Sequence, residues 1–277
     1  MKIAVIADST AVMGNVTHDH LYSVPLKIIF EHESYEDGID LTQETFFNLL
    51  KTKTELPTTS QPSIGEVEKM FTDLLEIYDH IIYLTISSGI SGTFDSGMMA
   101  RNLVDENRIT VFDTLGTSII QKLMTLDTLK FIDEGKSVEE IVSHLEAYRN
   151  KAEIYLVVDD LKHLSRTGRV STTSAQIGSM LKIKPILQFA DGKIELFKKV
   201  RSAKKAHQAL IDLAKEANLS DDDLLMIAHA DGIEYAEAVK SEILKIYPNL
   251  NIGIDPLSPV ISVHTGPKTI GVGWIRT

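Results

Sequence analysis

Residues 81 to 93 read Ile81-Ile82-Tyr83-Leu84-Thr85-Ile86-Ser87-Ser88-Gly89-Ile90-Ser91-Gly92-Thr93, and this stretch decides the fold class. Its first six residues form an almost unbroken apolar run, the pattern of a strand buried on both faces. Seven residues follow, six of them serine, threonine or glycine, and a helical stretch begins at Phe94. Strand, polar turn and helix in that order form the repeating unit of an α/β fold with parallel strands.

The same pattern recurs outward from this segment. Ile3 to Ala7, Ile109 to Phe112, Ile154 to Val158, Leu224 to Ala228 and Ile270 to Ile275 read as further strands. Ser63 with Glu66, and Ser137 with Glu140, have the capping-box spacing that opens a helix. Val67, Met70, Phe71, Leu74 and Leu75 then follow the first box at helical intervals. A chain of 277 residues exceeds the size at which one hydrophobic core usually stops growing. Two domains are therefore expected, residues 1–152 and 153–277, the second with a mixed sheet.

Composition narrows the function. Hydrophobic residues make up 43% and charged residues 24%, an ordinary globular balance, while aromatics are only 6%, so aliphatic side chains must fill most of the core. A net charge of -11 opposes binding to phosphate backbones, so no nucleic-acid partner is expected. The chain has no cysteine, which removes thiolate nucleophiles and disulfides and makes cytoplasmic residence the simplest reading. The apolar run at Ile3 to Ala7 is too short to span a membrane. Nine histidines are scattered with no His-Glu-x-x-His pair, so no metal site is expected. Gly89-Ile90-Ser91-Gly92 lacks the glycine spacing of a nucleophile elbow, and Gly266-Pro267-Lys268-Thr269 lacks the upstream glycine of a phosphate-binding loop. No catalytic residue and no cofactor are predicted.

Three loops could bind a ligand, because open α/β sheets do so beyond the carboxyl ends of their strands. They are Asp8-Ser9-Thr10, Pro57 to Ser63 and Ser87 to Thr93. Hydroxyls and backbone N–H groups at a helix start suit an anion, carboxylate or phosphate alike. The bland reading of Thr59, Ser60, Ser63, Ser88 and Ser91 is that they cap helices and close turns.

Taken together, Thr59-Ser60-Gln61-Pro62-Ser63, Ile86 to Phe94, Gly168-Arg169-Val170, Lys184-Pro185-Ile186-Leu187 and His264-Thr265-Gly266-Pro267 resemble the DegV family in order and spacing. The resemblance implies a two-domain α/β fold that holds a long-chain fatty acid in a buried tunnel. It also implies that the chain serves as the lipid-binding subunit of a bacterial fatty acid kinase, whose ATP-binding partner phosphorylates the carboxylate on the way to phospholipid synthesis. On that reading Thr59 and Ser91 donate to the carboxylate and His264, in a loop before the last strand, adds a further contact. Ser60, Ser88 and Thr265 stand in reserve. Arg169 lies near the head group and couples to the kinase, and Ile177, Met180, Leu181, Ile183, Ile186 and Leu187 supply the tunnel wall. Lys268 stands where relatives often have glycine; it would put a charge beside the head group and give up easy access to positive φ. The alternative is a small-molecule phosphoryl transferase or hydrolase that uses the same hydroxyl loops with His264 as acid or base. A non-catalytic regulatory scaffold is a third reading.

Overall fold

The computed structural model describes residues 1–159, 161–170 and 183–276. Its first sheet is parallel in the order β2-β1-β6-β7, from Leu21–Val24, Ile3–Asp8, His80–Thr85 and Ile109–Asp113. All six residues of β1 are buried, as its unbroken apolar run requires of a strand covered on both faces. Alternation along β1 divides the core. Ala4 and Ile6 pack toward helices α2 (Ile64–Leu75) and α3 (Thr93–Val104), while Ile3 and Val5 face the opposite layer.

Register places the strand exits side by side. Ala7 pairs with Leu84 and Leu84 with Phe112, so the loops after β1, β6 and β7 leave from one edge of the sheet. Asp8 joins two of those exits: its buried carboxylate accepts from the N–H groups of Thr10 at 3.0 Å and Ile86 at 2.6 Å, and from the Thr10 hydroxyl at 2.5 Å. The Asp8-Ser9-Thr10 segment, expected as a candidate ligand loop, is instead a turn lock off the wall of the candidate-site cavity described below.

A small antiparallel sheet, β4-β3-β5, comprises Glu33–Glu36, Lys27–Phe30 and Thr58–Ser60. Helix α1 (Gln43–Thr52) lies between β4 and β5 in the chain. The third sheet has six strands in the order β10-β9-β8-β13-β11-β12. They are β8 (Ala152–Val157), β9 (Lys184–Ala190), β10 (Lys193–Val200), β11 (Leu224–Ala230), β12 (Ile252–Pro256) and β13 (Thr269–Ile275). The sheet is mixed, as expected for the C-terminal half. Strands β11 and β12 pair in parallel, and β13 runs antiparallel to both β8 and β11.

The capping boxes at Ser63 and Ser137 form and start α2 and α5 (Val138–Lys151). Helix α4 (Ile119–Asp133) packs between the first and third sheets, touching β1, β6, β11 and β13. Helices α7 (Ala203–Glu216) and α8 (Ile233–Ile246) cover the far face of the third sheet. Two short helices complete the site region, α6 (Lys162–Thr167) and α9 (Pro259–Thr265). Among the described residues, no helix is long and apolar enough to cross a membrane.

Candidate functional site

A cavity of about 200 Å³ lies between the third sheet and the strand-exit loops of the first. One end of its wall is polar: Thr59, Ser60 and Gln61 from β5 and its exit, Ser91 from the loop after β6, Arg169 after α6, and His264 and Thr265 from α9. The rest is mostly aliphatic, including Leu26, Ile86, Ile119, Leu156, Ala228 and Ile261, with Phe189 as its aromatic member. Among the described residues, Arg169 is the one permanently charged side chain of the wall.

His264 sits in a helix rather than the expected loop. Ser258 caps α9 and Pro259 opens it, both standard for a helix start. The first half of the chain holds this helix in place. Asp37 accepts from the Val260 N–H at 3.1 Å, and the Gln43 carboxamide donates to the Leu257 carbonyl at 2.9 Å. His264 is therefore presented at the last turn of a helix pinned at its start.

Thr59 Oγ1 and His264 Nε2 lie 2.8 Å apart. Burial, with Arg169, Arg166 and His163 adding to it, pushes the imidazole pKa down to about 3, so the ring is neutral near pH 7. Its Nδ1 is buried and has no hydrogen-bond partner among the described residues. A bare lone pair costs less there than an unpaired N–H, which assigns the proton to Nε2. His264 then donates to Thr59, and the Thr59 hydroxyl proton is free to point into the cavity.

Ser91 repeats this arrangement. Its Oγ lies 2.9 Å from the Thr93 hydroxyl and accepts from the Thr93 N–H at 3.3 Å. With Thr93 as donor in both contacts, the Ser91 proton is also available to a guest. Two O–H donors and a nearby guanidinium suit a carboxylate, whose burial without donors would cost several kcal/mol. Arg169 is held by the Thr167 carbonyl at 2.5 Å and the Ile90 carbonyl at 3.4 Å.

Other predicted residues fall elsewhere. Ser88 is exposed and off the wall, and its N–H donates to the Asp113 carboxylate at 3.2 Å. Ser60 borders the cavity, but its hydroxyl donates to the Gln61 carbonyl at 3.0 Å. The Thr265 hydroxyl is likewise engaged, donating to the Ile261 carbonyl at 3.2 Å. Ile186 packs on the opposite face of the third sheet with α7 and α8. Leu187 faces the correct side but lies in the layer with Leu161, Leu164 and Val170, and half-buried Ile183 is also off the wall. The reason is strand alternation: residues of one run point to opposite faces, and on β9 it is Phe189 that reaches the cavity. Ile177, Met180 and Leu181 lie outside the described residues. Lys268 is exposed and off the wall, so it puts no charge at the polar end; it adopts φ 62° despite its side chain.

Sequence reading missed two contributors. Gln61 lies on the wall and its carboxamide donates to Ser96 at 2.8 Å. Asp37, buried behind α9, has its carboxyl raised to about 6, chiefly by burial. The Asp37-Gly38 pair reads as a plain turn, and nothing local marks it as a support for a helix more than two hundred residues away.

The profile of the family described as uncharacterised protein, DegV family, matches residues 2–277. Protein DegV of Bacillus subtilis is 36% identical over 278 residues, covering 99% of each chain. A solved structure of DegV from Bacillus subtilis, described as a fatty acid binding protein, is 35% identical, covers 100% of both chains and has a TM-score of 0.87. A fatty acid binding DegV family protein from Streptococcus agalactiae is 31% identical, with 100% of this chain and 99% of that one covered and a TM-score of 0.91.

Proposed function

This chain belongs to the DegV family, and from that premise we propose that it binds one long-chain fatty acid and presents the carboxylate to a separate ATP-dependent kinase. The observation that carries the reading is a cavity with hydroxyl donors at one end and mostly aliphatic walls beyond them. Thr59 and Ser91 hold the carboxylate, and His264 acts through Thr59 by orienting its proton. Burial of the alkyl chain contributes roughly 0.8 kcal/mol per methylene, so the walls supply affinity while the polar end sets direction.

In this reading residues 1–152 form the domain that carries the hydroxyl loops, and residues 153–277 form the domain that supplies most of the wall. The kinase role rests on the family resemblance and on the character of the wall. Among the described residues no carboxylate lines the cavity to serve as a general base, and neutral His264 is spent on Thr59. Phosphorylation therefore falls to a partner, with Arg169 placed to meet the acyl phosphate or the kinase through a forked guanidinium.

Mass spectrometry of a solvent extract from purified protein, followed by titration of the delipidated protein with palmitate and oleate, tests the binding. A reproducible lack of acyl chains together with no uptake of either acid would sink it. Turnover of acyl or phosphoryl substrates by the isolated chain would favour the enzyme alternative instead.

A further inference from the structure

Leu257 borders two cavities. It lines the lipid cavity together with Val260, Ile261 and His264, and it also lines a second cavity of about 470 Å³ whose apolar wall includes Met13, Val16, Leu21 and Leu41. Among the described residues no other one borders both.

Helix α9 shows which end of the lipid cavity this is. Leu257 precedes the Ser258 cap and His264 lies in the last turn, so the two are about 10 Å apart at the helical rise. Leu257, Val260, Ile261, His264 and Thr265 all line the cavity, the spacing of one helix face. The cavity therefore runs along α9, from the carboxylate donors at its C-terminal end to Leu257 at its start. Leu257 is also held firmly. It is 6% exposed, its N–H donates to the His229 carbonyl at 2.7 Å, and its carbonyl accepts from the Gln43 carboxamide at 2.9 Å. Its backbone cannot swing out of the path of an acyl chain without giving up both bonds, each costly to leave unmade in the interior.

We propose that Leu257 is the stop that sets the longest acyl chain this protein accepts, closing the lipid cavity against the second one. The methyl end of a bound acid reaches the Leu257 side chain, and the extra carbons of a longer acid gain no further burial. The inference rests on the carrier reading and adds the residue that determines chain length.

The test is titration of the delipidated protein with consecutive saturated acids from laurate to lignocerate, delivered from cyclodextrin, for the wild type and Leu257→Ala. Wild-type affinity should rise about fourfold per added methylene and then level off at one length. The alanine change removes three side-chain carbons, which by itself makes room for about three methylenes. Because the second cavity is more than twice the size of the first, the plateau in Leu257→Ala should move by about four carbons or more. Leu257→Phe should move it to shorter acids, and serves alone if the alanine variant does not fold. A wild-type affinity that climbs through the whole series, a plateau moved by about three carbons or fewer in Leu257→Ala, or one unmoved in Leu257→Phe overturns the stop while leaving the carrier reading intact. Failure of the wild type to take up any of the acids overturns the carrier reading and this one with it.

Discussion

Replacing Gly271 with valine should shorten the cavity without disturbing the sheet around it. Gly271 lies in the middle of β13 between Leu156 of β8 and Ala228 of β11, and all three line the cavity. A Cβ added there would meet the Tyr155 carbonyl oxygen at 3.7 Å, Leu156 Cβ at 3.9 Å and Ile119 Cδ1 at 4.0 Å, ordinary contacts that require no movement. Valine also suits an interior strand position better than glycine. Its three side-chain carbons would take the place of two or three ligand methylenes, each worth roughly 0.8 kcal/mol. The loss is about 2 kcal/mol, or roughly thirtyfold in Kd, for the longest acid that binds, and less for shorter ones. Titration with an acyl series from laurate to stearate, beside a thermal melt of the delipidated variant, reads both effects. The reasoning fails if affinity for the longest acid is unchanged, or if all lengths weaken equally while Tm drops.

The double change Thr59→Ala, Ser91→Ala should weaken fatty-acid binding by at least about a hundredfold, since each hydroxyl bond to a charged carboxylate is worth roughly 1.5–3 kcal/mol; titration should show the loss while far-UV circular dichroism stays as in the wild type. Burial, then Arg169, Arg166 and His163, lower the His264 pKa to about 3, so the unfolded chain binds more protons between about pH 6.5 and 3. That contribution to stability should fall as pH drops through this window, and urea melts of His264→Gln should show a shallower acid slope than the wild type. Asp37 has the opposite sign: with its carboxyl raised to about 6, the folded chain binds the extra proton, so its contribution is lost as pH rises from about 4 to 6. Relative to Asp37→Asn, the wild type should lose stability across that range in the same melts, and a constant difference would refute the assignment. Arg169→Gln should lower acyl phosphate formation by the kinase more than it lowers fatty-acid affinity; an equal loss in both assays would contradict the coupling role.

What could be read from sequence were features set by neighbours along the chain. An unbroken apolar run means burial on both faces, so β1, β6 and β7 were legible, and Ser-x-x-Glu spacing announced α2 and α5 because a capping box closes within one turn. The half-exposed strands β2 to β4 left no such pattern: each has only four residues, with few of them buried. The motifs that resemble the DegV family also marked Thr59, Ser91, Arg169 and His264, all of which line the cavity.

Their meeting was not legible. Thr59 and His264 are 205 residues apart and touch only because β5 joins β3 while α9 is held by Asp37 and Gln43. Apolar composition likewise named Ile186 and Leu187, but the pleat and position of β9 sent one to the opposite layer, left the other behind the wall and gave the cavity Phe189. Burial and capping arise from contacts within a few residues, which a linear pattern records. Strand order, direction and register join distant segments, and only the folded chain decides which of two equally apolar neighbours faces the ligand.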